Sequence, residues 1–150
     1  MQLGYHDDVR ATAEYDDPTA DALRVLDRAV AIESAPIPRQ FAWAENESAV
    51  TRLHTSLRPR VDRLRTSRVE DGVYYDVSYN DTAAGEWAAD NCPAGAGRQF
   101  GSCHADRGVV VQNRVNRTHV LAVGFDVTTT TDRGETAVTV VLEPTGRSRW

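Results

Sequence analysis

The spacing of the apolar residues changes once along this chain, near Gly72, and this change constrains the fold more than any other feature. Before it, apolar residues recur every three or four positions, which is typical of amphipathic helices. After it, they alternate with polar residues, which is typical of half-buried strands. Helices followed by consecutive strands predict an α+β domain with an antiparallel sheet, one face of which the helices cover. The helical stripes comprise Leu23, Leu26, Ala29 and Val30, and then Val50, Leu53, Leu57, Val61 and Leu64.

Two helices are predicted, over about residues 18–33 and 48–68. Pro36 and Pro38 follow the first, and each forbids helix continuation and favours extended backbone in the residue before it. Pro59 lies inside the second helix, so we expect a kink or a break there.

The alternating part of the chain predicts roughly four strands in an antiparallel meander, with "DRG" at 132–134 as the turn before the last. A loop that contains both cysteines is inserted after the first strand. All 150 residues form a single domain, since the length is that of one ordinary domain. The strands cover about residues 73–79, 108–114, 118–129 and 135–143. Alternation places these residues of the third strand on one face: Leu121, Val123, Phe125 and Val127.

Composition narrows the classes of function. All 17 basic residues are arginine, and the formal net charge of -5 argues against a general nucleic-acid binder. An acidic chain without lysine suits a GC-rich genome and a high-salt cell, where hydrated negative surfaces keep proteins soluble. No apolar run is long enough to span a bilayer, and "MQLGYHDDVR" has neither the basic nor the apolar part of an export signal.

Cys92 and Cys103 are the only cysteines, and four uses are open to them. A zinc site would have His104 as a third ligand but no fourth at a suitable spacing. A redox couple usually needs cysteines two residues apart at a helix start, and a nucleophilic cysteine beside His104 would lack an orienting third group. A disulfide needs only that the flexible connector "PAGAGRQFGS" turns back on itself. We favour the disulfide, which indicates an oxidising compartment.

Three sequons for N-glycosylation point the same way, since they too imply an exported protein. They begin at Asn46, Asn80 and Asn116, ahead of a helix, at the end of a strand and at an expected hairpin tip. Each asparagine also suits a cap or a turn, whether or not it carries a glycan.

The run "RPRVDRLRTSR" and the histidines are given no chemistry. Because Val61 and Leu64 in this run face the core, its arginines are interpreted as the solvated face of a helix rather than as a phosphate-binding patch. The four histidines show no ligand-like spacing, and no metal or cofactor is predicted. They are His6, His54, His104 and His119.

Nearly the whole chain resembles a family of uncharacterised haloarchaeal proteins that are similar to pilin-like surface proteins. The resemblance is carried by "LGYHDDVRATAEYDDPTADALRVLDRAV", "YDVSYNDTAAGEWAADNCPAGAGRQFGSC" and "GVVVQNRVNRTHVLAVGFDVTTTTDRGETAVTVVLEP". It implies an extracellular α+β head that a single N-terminal hydrophobic helix anchors in the membrane. That helix is missing from this sequence, so membrane attachment is expected only through an upstream segment. The family implies no activity for any residue.

The leading hypothesis is therefore a non-enzymatic head domain of a cell-surface protein of a halophilic archaeon, acting in assembly or adhesion with other pilin-like or surface subunits. Its contact residues would be exposed aromatic ones, with Trp43, Trp87 and Trp150 as candidates. The alternative is a secreted small-ligand binder or hydrolase with a site beside the Cys92–Cys103 loop, using His104 and Asp106. A cytosolic nucleic-acid binder is the third and weakest hypothesis.

Overall fold

A computed structural model describes residues 17–94 and 99–144 of the chain. The helical part comprises α1 (Asp17–Ser34), a short helix α2 (Ile37–Gln40) and α3 (Asn46–Thr66), with a 3-10 turn at Val69–Asp71. The two long helices are therefore those that the apolar spacing predicts. Every residue of both predicted stripes is buried.

Helix α3 runs through Pro59 without a break, so of the two expected outcomes the break is wrong and the kink stays a prediction. A proline inside a helix leaves the carbonyl four residues earlier, here that of Thr55, without its N–H donor. Both Thr55 and Pro59 are exposed, so water can satisfy that carbonyl. The apolar stripe on the opposite side of α3 keeps the helix seated on the sheet.

The remaining elements are β1 (Tyr74–Tyr79), α4 (Asp81–Asn91), β2 (Phe100–Asp106), β3 (Val109–Arg114), β4 (Arg117–Thr131) and β5 (Gly134–Leu142). In the part of the chain that the structure describes, these five strands form one antiparallel sheet. The α+β class is confirmed, with one strand more than the four predicted.

Strand β4 organises the sheet. Val123 pairs with Val109 of β3 and with Leu142 of β5, and Phe125 pairs with Tyr79 of β1 and again with β5. Strands β1 and β3 therefore lie end to end along one edge of β4, while β5 covers the other edge. Helix α4 and strand β2 are inserted in the chain between β1 and β3, the two strands that lie end to end.

The sheet has an apolar cluster on each face. Helices α1 and α3 cover one face, as predicted, and pack on Phe125, Val127 and Val140. Helix α4 covers the other face through Ala84 and Trp87. Gly124 makes this second packing possible, because a Cβ at that position would lie 2.6 Å from the carbonyl oxygen of Asn80, where α4 begins.

Two features of the second face differ from the sequence prediction. Both α4 and β2 lie in the segment that was predicted as a Cys-bridged loop. The pairing of β3 with β4 also shifts by one residue between Val110 and Val111, so Val111 pairs with Val120 instead of Leu121. A bulge of this kind reverses the alternation of side chains, and Leu121 joins the α4 cluster instead of sharing a face with Val123.

Candidate functional site

The two cysteines form a disulfide that ties α4 to β2. Cys92 ends α4 and Cys103 lies in β2, with their Cα atoms 5.8 Å apart. The predicted disulfide is thus confirmed by the structure. His104 is exposed on β2, and Asp106 pairs with Arg107 at 3.1 Å.

Gln112 supports the chain around this disulfide. It is fully buried, and its amide nitrogen donates to the carbonyls of Pro93 and Gly101, each at 2.8 Å. Its amide oxygen accepts from Nε of Arg114 at 2.7 Å. The disulfide segment and the end of β3 are therefore held by one side chain.

The three sequon asparagines have different roles in the fold. Asn80 caps α4 by accepting from the N–H of Ala83 at 2.8 Å, and its Nδ2 donates to Asp126 at 2.9 Å. Oδ1 of Asn46, at the start of α3, lies 2.9 Å from the hydroxyl of Thr118. Asn116 is exposed at the tip of the β3–β4 hairpin, as predicted from sequence. Glycosylation is expected from the sequence alone, and these contacts do not test it.

One end of the sheet, around the β3–β4 hairpin, presents cations and apolar side chains; we call it the basic end. It is an open cleft of about 570 Å³, and no carboxylate stands among the described residues that line it. Arg114 lies 4.5 Å above the ring of Phe100, whereas Arg39 and Arg117 make no side-chain hydrogen bond or ion pair with any described residue. The lining residues are Pro38, Arg39, Phe100, Arg114, Val115, Arg117 and His119.

The backbone at the tip of the basic end is strained. Val115 and Asn116 both have positive φ angles, of 48° and 72°, as a two-residue type I′ hairpin requires. Asparagine tolerates this conformation, but a β-branched residue such as valine rarely adopts it. Val115 is also 57% exposed. Trp43 is 44% exposed, and its backbone N–H donates to the carbonyl of Asn116. An apolar, strained tip that faces solvent is a feature of contact surfaces.

The opposite end of β4 carries the opposite charge, and we call it the acidic end. It lies about 45 Å away along β4, at the rise of an extended strand. Its cleft of about 690 Å³ is lined by four carboxylates and one arginine. The charged residues are Asp17, Asp71, Asp132, Glu135 and Arg133. The exposed side chains of Val69 and Tyr74 are neighbours of Asp71 in the chain.

A third cleft, of about 410 Å³, lies between α3 and β1. The ring of Tyr79 stacks on His54 at a centroid distance of 4.0 Å and on Phe125 at 5.1 Å. Burial raises the pKa of Tyr79 to about 12 and lowers the pKa of His54. Nε2 of His54 lies 2.9 Å from the carbonyl oxygen of Arg107 and must carry the proton, because a carbonyl only accepts.

The arginine run of α3 is mostly paired with carboxylates, as its interpretation as a solvated face implies. Arg60 pairs with Glu33, Arg65 with Asp62, and Arg68 with Asp21 and Asp71. Arg58 lines the third cleft and makes no hydrogen bond or ion pair with a described residue.

Sequence reasoning missed His54 and Tyr79 as cleft residues. The two residues lie 25 positions apart in the chain, one in α3 and the other in β1, and no local pattern joins them. The three tryptophans predicted as contact residues differ in exposure. Trp87 is buried in the core, Trp43 is exposed, and Trp150 lies outside the described residues.

The part of the chain that the structure describes contains no group of three His, Cys, Asp or Glu side chains placed to hold a metal ion. Within the same residues, no helix has the length and apolar character needed to cross a bilayer. A protein-family model with the description "Family of unknown function (DUF7261)" matches residues 1–143, so the chain belongs to that family. No curated protein and no solved structure matches the chain.

Proposed function

We propose that this member of the DUF7261 family is a non-enzymatic head domain of a cell-surface protein, and that it assembles head to tail through its two charged ends. The basic end of one copy contacts the acidic end of the next. A contact between two different patches of identical chains is heterologous, and it propagates into a filament when the rotation between copies does not close a ring.

The observation that carries this proposal is the separation of charge along β4. Three arginines without a carboxylate line one end, and four carboxylates with one arginine line the other. In a chain of net charge -5, a wholly cationic patch is a local exception that fits an acidic partner. The acidic end of a second copy is such a partner.

Exposed apolar side chains would add affinity to this contact beyond the attraction between opposite charges. Trp43 and Val115 are exposed at the basic end, and Val69 and Tyr74 are exposed beside Asp71 at the acidic end. Aromatic and apolar anchors supply much of the affinity of protein interfaces, while charges around them set orientation and association rate. Such anchors would also retain affinity in high salt, where the Debye length falls to about 3 Å at 1 M.

The disulfide supports a location outside the cytosol. Stable disulfides belong to oxidising compartments, and this chain keeps both of its cysteines in one bond. Alkylation of intact host cells with a thiol reagent, before and after reduction, tests this location. We expect labelling of Cys92 and Cys103 only after reduction.

Assembly is tested by sedimentation velocity of the purified chain over a range of concentrations. We expect concentration-dependent self-association that the double variants Arg39→Glu/Arg117→Glu and Asp132→Arg/Glu135→Arg each abolish. A mixture of the two variants is expected to associate again, because the reversed end of each now complements an end of the other. Arg52→Glu/Arg63→Glu, on exposed positions of α3, is the control for the first of these variants, because it changes the net charge by the same amount. A wild-type chain that stays monomeric throughout would overturn the proposal.

A further inference from the structure

We propose that the cleft between α3 and β1 binds a small organic anion that carries a flat apolar group. This site is distinct from the two charged ends and does not depend on the assembly proposed above. Its volume of about 410 Å³ lies within the range of small-ligand pockets, about 300–1,000 Å³. Val61, Val77 and Phe125 are almost fully buried and form its floor, while the partly exposed ring of Tyr79 supplies apolar surface that a ligand can reach.

The aromatic stack defines where the flat group would lie. The ring of Tyr79 is held between His54 and Phe125, so its faces are covered and it presents a fixed edge with its hydroxyl. The flat group would lie along this edge, which has little conformational entropy left to lose on binding. The hydroxyl of Tyr79 makes no hydrogen bond with any described residue. Because burial raises the pKa of this tyrosine to about 12, the hydroxyl keeps its proton near neutral pH and is available as a donor.

The charged side chains that line the cleft indicate that its ligand carries one negative charge. Arg65 is neutralised by Asp62 at 2.9 Å and donates to the carbonyl of Val77 at 2.7 Å. Arg58 is the cleft cation without an acceptor among the described residues. One unpaired guanidinium matches one carboxylate or a similar monoanion, which it can bind with two parallel hydrogen bonds.

One edge of β1 pairs with no described strand, and it adds donors to this side of the cleft. The N–H of Asn80 donates to Gly124 of β4, and in an antiparallel pair alternate residues point the opposite way. The N–H groups of Val77 and Tyr79 therefore face the unpaired edge. Since Arg65 already occupies the carbonyl of Val77, an added peptide strand would have to displace it, and a small ligand fits better.

The test uses 2-naphthoate as the anion and 2-naphthamide as a neutral probe of the same shape. Titrations followed by amide chemical shifts are run on the wild-type chain, Arg58→Gln, Tyr79→Phe and the matched control Arg63→Gln. We expect 2-naphthoate to perturb residues of α3 and β1 and to bind about tenfold more weakly to Arg58→Gln, as loss of a charge-assisted hydrogen bond predicts. Tyr79→Phe should weaken binding by a smaller factor, and Arg63→Gln should leave it unchanged.

Three results would overturn this site. The first is no saturable shift at 10 mM naphthoate, and the second is equal affinity for the amide. The third is equal affinity of the wild type and Arg58→Gln, given thermal melting curves that show both folded. Naphthoate shifts confined to the basic end would place its binding elsewhere and reject the cleft, while the assembly of the chain would remain a separate question.

Discussion

The hydroxyl of Thr118 lies 2.9 Å from Oδ1 of Asn46, and it joins the β3–β4 hairpin to the first turn of α3. Thr118 is fully buried and also lies 2.8 Å from the carbonyl oxygen of Ala42. One buried hydroxyl therefore fixes the basic end of the sheet against the connection between α2 and α3.

Replacement of Thr118 by valine is expected to lower the free energy of unfolding by about 1–3 kcal/mol, because the buried hydroxyl that donates to this connection is lost. Urea unfolding at neutral pH measures this change. Thr118→Ser is the matched control, since it keeps the hydroxyl and the sequon of Asn116. A serine variant as unstable as the valine variant would show that the methyl group contributes as much as the hydroxyl.

Removal of the disulfide is expected to lower stability by roughly 3 kcal/mol, the chain-entropy value for closing a loop of this length. Cys92→Ser/Cys103→Ser, compared with the oxidised chain by urea unfolding, measures the effect. The loss should be concentrated in α4 and β2, which the bond joins, and amide hydrogen exchange should therefore quicken there before it quickens in β4. Uniform acceleration across the sheet would contradict this localisation.

Val115→Asn is expected to raise stability by about 1 kcal/mol, because asparagine adopts positive φ with less strain than a β-branched residue. Thermal unfolding measures this gain. If the exposed valine serves the contact at the basic end, the same substitution should weaken self-association in sedimentation velocity. Val25→Asn, an exposed valine in α1, is the comparison for the loss of apolar surface alone.

The fold is predictable from the sequence in those segments where buried residues recur at one regular spacing over many positions. The stripe from Val50 to Leu64 is buried as predicted, and β1 lies within the first predicted strand, residues 73–79. Helix α4 escaped prediction because its buried residues, Ala83, Ala84 and Trp87, are mostly small and because Gly85 lowers helix propensity in its interior. The cap at Asn80 followed by Asp81 was the available signal, and it was interpreted as a sequon.

The candidate sites were less predictable, because they depend on how distant segments meet. Each charged end combines residues from several elements, and the bulge that turns Leu121 to the other face depends on the pairing of β3 with β4. The disulfide was predictable, since it needs only two cysteines and a flexible connector.

Occupancy of the sequons provides a further prediction. Asn80 uses its amide for the cap of α4 and for Asp126, so we expect it to be unmodified in the folded protein. A glycan on Asn116 would cover the basic end, so head-to-tail assembly requires that position to be bare as well. Glycopeptide mapping of protein from the assembled fraction tests both expectations. An occupied Asn116 in that fraction would contradict the proposed contact.

The stability of the fold is expected to fall as the pH decreases below 6.5, through His54. Burial is the main cause that lowers the pKa of this histidine, and the nearby guanidinium groups of Arg107 and Arg58 act in the same direction. The folded state therefore binds the proton less readily than the unfolded state, whose histidine titrates near 6.5. The stabilising contribution is complete above that pH and is lost as the pH falls through the folded-state value.

Urea unfolding at pH 7.5 and at pH 5.5 measures this dependence. His54→Gln removes the titrating group while its amide can still donate to the carbonyl of Arg107, so the variant should lose part of the pH dependence. His119 contributes in the same direction, because burial and the charge of Arg114 also lower its pKa. An unchanged pH dependence in His54→Gln would show that the imidazole stacked on Tyr79 remains as easily protonated as one in water.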